Sequence, residues 1–108
     1  MSYVPDRGDI VWLTFNPQAG HEQAGRRPAL TLSPKSYNEK SGLALFCPIT
    51  NQKKGYPFEV AVSEGDITGV VLTDQIRSLD WSARQAAFIQ TMPDATLKAA
   101  LQKARTLL

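Results

Sequence analysis

The chain has 108 residues and a net charge of only +2, with 43% hydrophobic and 20% charged residues. This is an ordinary globular composition, which excludes a disordered chain, and the length suits one domain over residues 1–108. There is no run of about 18 apolar residues, and the start, MSYVPDRGD, lacks the apolar core of a signal peptide. We therefore expect a cytoplasmic protein that does not bind membranes.

Charge is unevenly distributed along the chain. Residues 26–54 carry six Lys or Arg against one Glu, a local charge of +5, whereas residues 55–80 carry one Arg against five Asp or Glu, a local charge of −4. A clustered positive segment suits an anionic partner such as RNA or an acidic peptide. The alternative is that the fold interleaves the two segments and averages their charges.

Short β-strands are predicted over most of the chain. Residues 9–15 (DIVWLTF) are rich in β-branched and aromatic residues, and residues 28–33 place Leu30 and Leu32 on one face. Further β-like segments are residues 43–50, 57–62, 69–80 and 86–91. Pro48 is expected to interrupt or end the third strand, and the long fifth segment to bend near its middle. The intervening segments are predicted to be a polar connection (residues 35–42), a turn (residues 51–56) and an acidic turn (residues 63–68).

Helical periodicity is clear only at the end of the chain. Asp94 follows a proline and is predicted to cap a helix, and an apolar stripe then recurs at spacings of four, three and four residues. The stripe consists of Leu97, Leu101, Ala104 and Leu108. Residues 81–85 are predicted to form a single helical turn. Five or six short strands with one terminal helix predict a mainly β fold, a small SH3-like β-barrel with a C-terminal α-helix.

A polar loop at residues 16–26 separates the first two predicted strands. It is too long for a tight hairpin, and it holds two glycines, the only histidine, His21, and the carboxylate Glu22. Arg27 stands directly before Pro28, which favours an extended backbone for that arginine. Such loops often carry binding or catalysis, and the alternative is an ordinary solvated surface loop.

Several kinds of chemistry have no support in the sequence. One cysteine and one histidine cannot form a structural zinc site in a single chain, and no phosphate-binding glycine loop occurs. Cys47 lies in the apolar run LALFCPI and is expected to be buried. A nucleophilic pair of Cys47 with His21 is therefore disfavoured.

The remaining polar residues suit cleavage of a phosphodiester without metal. Glu22 or His21 can take a proton from a ribose 2′-hydroxyl, which then attacks the adjacent phosphate. Arg27 can hold two phosphate oxygens as charge builds, and the Thr50 hydroxyl can add a hydrogen bond. Asp74 completes this set. The structural alternatives are a surface ion pair of Arg27, a turn capped by Thr50 and a solvated Glu22.

Five segments resemble the MazF/PemK family of toxin–antitoxin endoribonucleases, in the family's order and over nearly the whole chain. They are RGDIVWL, NPQAGHEQAGRRPAL, PITNQKKGYPFEV, GVVLTDQIRSLDW and the terminal amphipathic helix. QKKGYPFEV is similar to MazF members and GHEQ to PemK-type members. The resemblance implies a homodimer of SH3-like barrels that cuts single-stranded RNA at short sequences without metal or another cofactor. The expected products carry a 2′,3′-cyclic phosphate or 3′-phosphate and a 5′-hydroxyl.

The resemblance also implies roles for individual residues. Arg27 matches the arginine of the family's G-x-R-P motif and is expected to act on the phosphate. Thr50 closes the P-x-T motif and is expected to orient or stabilise that phosphate. Glu22 matches an acidic position proposed as a base, and His21 matches a position used for RNA contact or chemistry in PemK-like members.

Substrate binding is assigned to a wider set by the same resemblance. Asp74 in the D-Q motif and Arg84 beyond it match positions implicated in substrate binding or catalysis. Some PemK-like members have an arginine two residues before this aspartate. Here the residue is Leu72, so the general acid proposed for those members cannot be carried over, and Arg27 or Arg84 would have to serve.

Base recognition is expected in a groove beyond these residues. Asn51 is assigned to base recognition only, and the Tyr56 and Phe58 rings are expected to contact unstacked bases. The groove is predicted to be lined by Arg26, Lys53, Lys54 and Gln75.

The family's partner is a MazE-like antitoxin with an acidic, disordered tail, which suits the positive segment electrostatically. Two other functions stay open on the same scaffold. One is a gyrase-directed toxin of the CcdB kind, against which the presence of both Arg27 and Thr50 argues. The other is a non-catalytic module that binds RNA or protein.

Overall fold

The computed structural model describes residues 3–16 and 20–108, in which the chain forms an antiparallel β-sheet and two helices. The elements of these residues are β1 (Asp9–Thr14), β2 (Arg26–Thr31), α1 (Lys35–Ser41), β3 (Leu43–Thr50), β4 (Glu59–Glu64), β5 (Ile67–Leu72), β6 (Arg77–Asp80), β7 (Ala87–Thr91) and α2 (Asp94–Thr106). The predicted mainly β fold with a C-terminal helix is therefore confirmed.

Strand β3 is the centre of the sheet. The strand order is β4-β5-β3-β2-β1-β7, and β6 pairs with β3 outside this sequence of neighbours. One edge of β3 pairs with β2, whereas its other edge pairs first with β6 and then, at Ile49 and Thr50, with β5. Because β3 changes partner along its length, the sheet curls into a half-barrel.

The alternation of side chains on the strands builds two apolar clusters. Val11, Leu13 and Phe15 point to one side and join Phe46, while Ile10 points to the other. The second cluster lies under α2 and is formed by residues that include Ile10, Leu30, Leu32, Cys47, Val60, Val62, Ala100 and Ala104. The predicted burial of Leu30, Leu32 and Cys47 is confirmed.

The segment predicted as a polar connection, residues 35–42, is instead mostly the helix α1. Pro34 precedes it, and Gly42 ends it with a left-handed backbone at φ 74°. Asn38 is fully buried: its Nδ2 donates to the carbonyls of Pro5 (2.8 Å) and Ser33 (3.0 Å), and its Oδ1 accepts from Ser33 Oγ (2.6 Å). The prediction failed because this helix buries an amide rather than an apolar stripe.

Pro48 does not interrupt β3, contrary to expectation. It pairs with Ala29 of β2, and β3 continues to Thr50. On the opposite edge, the pairing with β6 ends at Phe46 and the pairing with β5 begins at Ile49. Pro48 therefore lies where β3 has no partner strand on that edge. Proline has no N–H to donate there, and sheets tolerate proline at such positions.

Other boundaries also differ from the prediction: β2 is Arg26–Thr31 rather than residues 28–33, and β4 is Glu59–Glu64 rather than residues 57–62. The acidic turn expected at residues 63–68 is only Gly65 and Asp66, because β4 and β5 extend up to them. Residues 69–80 do not form one bent strand: β5 ends at Leu72 and β6 begins at Arg77. The predicted turn at residues 81–85 is present, where the Arg84 N–H donates to the Asp80 carbonyl (2.9 Å).

Helix α2 differs from its prediction at both ends. Asp94 lies inside the first turn and makes no capping hydrogen bond, because Pro93 occupies the capping position. Leu108 is 95% exposed, so the apolar stripe ends before it. Among the described residues, neither helix has both the length and the apolar character needed to cross a membrane.

Candidate active site

A cleft of about 410 Å³ opens between the ends of β2 and β3 and the turn that joins β4 to β5. We call it the arginine cleft. It is lined by Trp12, Arg26, Arg27, Pro28, Ile49, Thr50, Asn51, Asp66, Ile67, Thr68 and Ile89. Four of the residues predicted from the sequence to act on RNA, Arg26, Arg27, Thr50 and Asn51, therefore meet in one place.

Strand register explains why Arg27 and Thr50 meet although they are far apart in sequence. Strands β2 and β3 are antiparallel, with Ala29 opposite Pro48. Continuation of this register by two residues would place Arg27 opposite Thr50. Directly opposed residues of an antiparallel pair project to the same face of a sheet.

Arg27 presents a guanidinium with free donors to the cleft. Its Nε–H donates to the Ala24 carbonyl at 2.9 Å, which fixes the orientation of the group. Among residues 3–16 and 20–108, the two terminal nitrogens of Arg27 have no hydrogen-bond or ion-pair partner. A guanidinium held at Nε with both terminal NH₂ groups free can bind two oxygens of one phosphate.

Thr50 presents a hydroxyl to the same cleft, and its proton has no acceptor among the described residues. The residue is only 6% exposed, and its Oγ1 accepts a hydrogen bond from the Gln52 N–H at 3.2 Å. Because that bond uses a lone pair of the oxygen, the Thr50 O–H remains available as a donor. It can therefore donate to an anion held by Arg27.

The other two arginines of the predicted site are bound to the protein itself. Arg26 donates through Nη2 to the Gln85 carbonyl (2.7 Å) and through Nη1 to Thr14 Oγ1 (3.2 Å), so its charge is fixed at the edge of the cleft. Arg84 donates through Nη1 to the backbone carbonyls of Thr14 and Asn16. It lines neither this cleft nor the pocket next to it, and it supports the base of the polar loop.

A second pocket of about 260 Å³ shares Thr50 with the arginine cleft. We call it the carboxylate pocket, since it contains Glu59 and Asp74. It is lined by His21, Gln23, Thr50, Gln52, Lys54, Tyr56, Phe58, Glu59, Leu72, Asp74 and Gln75. The structure thus brings His21, Lys54, Asp74 and Gln75 to the other side of Thr50 from Arg27.

The carboxylates of this pocket have different roles. Both oxygens of Glu59 accept backbone hydrogen bonds, from the N–H of Lys54 (3.2 Å) and of Gly55 (3.0 Å), and so hold that loop in place. Burial raises the pKa of Asp74, the hydrogen bond from its own backbone N–H opposes the rise, and the charge of Glu59 adds to it.

Burial also raises the pKa of the Cys47 thiol to about 12, with a smaller contribution from Asp74.

The polar loop is tied to the barrel at its base. The Phe15 N–H donates to the Gly25 carbonyl (2.9 Å), and the Gly25 N–H donates to Asn16 Oδ1 (3.0 Å). The Gln23 N–H donates to Gln75 Oε1 (3.0 Å), which connects the loop to the turn after β5. Residues 17–19 of the predicted loop lie outside the described residues.

Three predicted site residues lie outside both pockets: Glu22, Lys53 and Arg84. Both Glu22 and Lys53 are exposed. Conversely, sequence reasoning missed Trp12, Asp66 and Glu59 as residues of the two pockets. Trp12 is 43% exposed in a strand whose neighbouring residues Val11 and Leu13 are fully buried, and it lines the arginine cleft.

The described part of the chain contains no group of three or more His, Cys, Asp or Glu side chains that could hold a metal ion. The arginine cleft itself presents a guanidinium, a hydroxyl and the ionisable groups beside them. These are donors for an anion, with possible proton acceptors at the edge.

Several known proteins are similar to this chain in sequence. A family model described as the PemK-like, MazF-like toxin of type II toxin–antitoxin systems matches residues 6–108. The chain is 55% identical over 84 residues to the endoribonuclease toxin MazF of Escherichia coli K12, covering 78% of this chain and 76% of that protein. It is 33% identical over 108 residues to endoribonuclease PemK of Escherichia coli, covering 95% of this chain and 81% of the relative.

Solved structures resemble this backbone closely. Form I of MazF from Deinococcus radiodurans matches with a TM-score of 0.94 and 51% identity, covering 98% of this chain and 97% of that one. Form II of MazE–MazF from the same organism matches with a TM-score of 0.86 and 45% identity, covering 98% and 96%.

Proposed function

Because the chain belongs to the PemK-like, MazF-like toxin family of type II toxin–antitoxin systems, we propose that it is an endoribonuclease that cuts single-stranded RNA in the arginine cleft. Relatives at 55% and 33% identity are endoribonucleases, which supports this assignment. The protein is thus an endoribonuclease toxin. Its cleavage chemistry and the residues that carry it are our proposal.

One observation carries the proposal: two donors without partners among the described residues face the same cleft. These are the terminal NH₂ groups of Arg27 and the hydroxyl of Thr50. A phosphate that accepts from both would have its charge stabilised most in the transition state, where the pentavalent phosphorus carries the most negative oxygens.

Cleavage follows from the placement of these donors. The ribose 2′-oxygen attacks the adjacent phosphorus and its proton passes to a base. The bond to the 5′-oxygen then breaks as that oxygen takes up a proton from Arg27 or from water. The products are a 2′,3′-cyclic phosphate, or the 3′-phosphate formed by its hydrolysis, and a 5′-hydroxyl. His21 is the better placed base, because it borders the pocket that includes Thr50, whereas Glu22 lies outside both pockets.

The carboxylate pocket is proposed to bind a neighbouring nucleotide. Lys54 supplies a positive charge, and Asp74 and Gln75 supply hydrogen-bonding groups for a base edge. The rings of Tyr56 and Phe58 lie 5.3 Å apart at 40°, and half of Tyr56 is exposed, so this pair offers a surface on which a base can stack. Asn51 contributes on the side of the arginine cleft.

The proposed partners follow from the family. We expect a homodimer in the cytoplasm, held inactive by a MazE-like antitoxin with an acidic tail. The likeness to the MazE–MazF structure supports this partner. The positive segment at residues 26–54 contributes Arg26, Arg27 and Lys54 to the two pockets, where an acidic tail would compete with RNA.

The test is cleavage of a mixed RNA pool by the purified protein in EDTA, with the new ends mapped by sequencing. We expect discrete cuts with 5′-hydroxyl ends, and a fall of about 10²- to 10³-fold in the cleavage rate for Arg27→Ala. Arg105→Ala is the matched control, because Arg105 is an exposed arginine on α2 that lines neither pocket.

Three results would speak against the proposal. Cleavage that depends on added metal would remove the metal-free chemistry. Equal rates for Arg27→Ala and Arg105→Ala would remove Arg27 from the site. Tight RNA binding without any cutting would favour a binding module on the same scaffold.

A further inference from the structure

Gly69 of β5 lies against the backbone of Thr50. Strand β5 pairs with β3 through Val70 opposite Thr50 and Val71 opposite Ile49, and Gly69 directly precedes Val70 in the chain. A Cβ built at Gly69 would lie 2.2 Å from the Thr50 carbonyl oxygen, 2.9 Å from its carbonyl carbon and 3.2 Å from the Asn51 Cα. All three atoms belong to backbone, which cannot rotate away as a side chain can.

The backbone of Gly69 also has a conformation that other residues avoid. Its φ of 152° lies in the positive region, where an L side chain is strained. Immediately before it, Ile67 and Thr68 line the arginine cleft beside Thr50. The absence of a side chain at position 69 thus lets β5 approach the end of β3 at the point where the cleft wall forms.

We propose that Gly69 is a positioning residue for the reaction: it sets the distance between the wall of the arginine cleft and Thr50, and thereby places the Thr50 hydroxyl on the scissile phosphate. The inference rests on the proposed endoribonuclease function. It adds a role for a residue that touches neither RNA nor Arg27 and that acts only through Thr50.

Any L side chain at position 69 forces β5 and the Thr50 backbone apart. Real Cβ atoms essentially never come closer than 3.0 Å to another heavy atom, so Gly69→Ala requires a displacement of about 0.8 Å from the separation of 2.2 Å. A misplacement of about 1 Å at a catalytic group can lower a rate by about 10²-fold. We expect kcat of Gly69→Ala to fall by about 10- to 100-fold. Its KM should change by less than about 3-fold, because Arg26 and Lys54 still bind the RNA.

The matched control is Gly42→Ala. Gly42 also has a positive φ, 74°, but a Cβ there would meet nothing within 4 Å, and the residue lies at the end of α1 rather than in the cleft. Gly42→Ala therefore introduces the backbone strain without moving Thr50. We expect it to lower the melting temperature while its kcat stays within about 2-fold of wild type.

A double-mutant cycle separates positioning from a general loss of structure. If Gly69 acts through Thr50, Gly69→Ala should have little further effect once the hydroxyl is removed. We expect the double variant Gly69→Ala/Thr50→Ala to match Thr50→Ala within about 2-fold in kcat. The inference would be overturned if Gly69→Ala lowered kcat by the same factor in wild type and in Thr50→Ala, or if it left kcat unchanged. The proposed function would still stand in either case, because it depends on RNA cleavage by the wild-type protein.

Folding is checked for every variant by far-UV circular dichroism at the assay temperature. Assays at low temperature with a stabilising osmolyte extend the range in which Gly69→Ala can be measured. A Gly69→Ala protein that stays unfolded under these conditions would also overturn the inference, because Gly69 would then be needed for the fold rather than for the position of Thr50.

Discussion

Two consecutive arginines of this chain have different environments because they lie on a strand. Arg26 points towards Thr14 and Gln85 and uses both terminal nitrogens on them, whereas Arg27 points into the cleft with its terminal nitrogens free among the described residues. The motif RRP alone does not distinguish them. Both side chains line the arginine cleft, but Arg26 lies opposite Thr14 of β1 and Arg27 opposite Leu13. Only Arg26 therefore meets a side-chain oxygen across the strand pair, so the chemistry is assigned to Arg27 and the support to Arg26.

Cys47 gives a prediction for the pH dependence of stability. Its pKa rises from the ordinary 9.0 to about 12 in the folded protein because it is buried. Between these values the unfolded chain loses the thiol proton and the folded chain keeps it, so folding stability falls as pH rises. We expect the difference in unfolding free energy between wild type and Cys47→Ala to shrink by up to about 1.4 kcal/mol per pH unit above pH 9.

The measurement is urea unfolding of both proteins between pH 8 and pH 10.5. The other ionisable side chains are the same in both proteins, so their contributions cancel in the difference. Parallel stability curves for wild type and Cys47→Ala across this range would contradict the burial of an unionised thiol.

Among the secondary-structure elements, the short helix α1 shows what sequence patterns do not reveal. The only fully buried residue of α1 is the polar Asn38. The backbone carbonyl of Asn38 accepts a hydrogen bond from the Trp81 Nε1–H (2.9 Å). A helix held by a buried amide has no apolar stripe to detect. The flanking Pro34 and Gly42 were the available signals, since proline and glycine commonly bound a helix.

Asn38→Ala should destabilise the protein by about 2–4 kcal/mol. The substitution removes three side-chain hydrogen bonds and leaves the carbonyls of Pro5 and Ser33 without these donors in the interior. Ser36→Ala, an exposed change on the same helix, should alter the unfolding free energy by no more than about 0.5 kcal/mol. Similar stabilities of the two variants in urea unfolding would show that this network does not hold α1.

Strands were predictable where apolar and polar residues alternate along the chain. Leu30 and Leu32 of the second predicted strand are buried as their alternation indicated, and the C-terminal helix begins within a residue of its expected start. Pro48 was misjudged because its effect depends on which strands flank β3, which is a property of the whole sheet. The proximity of Gly69 to Thr50 likewise arises only from the pairing of β5 with β3.

For the molecule as a whole, the fold partly interleaves the positive and negative segments. Lys54 and Glu59 are joined by a backbone-to-carboxylate hydrogen bond, and Asp74 lies in the same pocket. The arginine cleft keeps two positive charges against Asp66. The molecule therefore presents a positive cleft next to a mixed pocket, and Thr50 lies between them. Such an arrangement suits a phosphate in the first and a base edge in the second.

The most direct measurement is a crystal structure of the protein with an RNA that carries a 2′-deoxy nucleotide at the cut position mapped with the wild-type enzyme. We predict that the uncut phosphate lies in the arginine cleft and accepts hydrogen bonds from a terminal nitrogen of Arg27 and from Thr50 Oγ1, both within about 3.2 Å. A phosphate bound elsewhere, with these two groups out of hydrogen-bonding reach of it, would show that Arg27 and Thr50 do not act on the scissile phosphate.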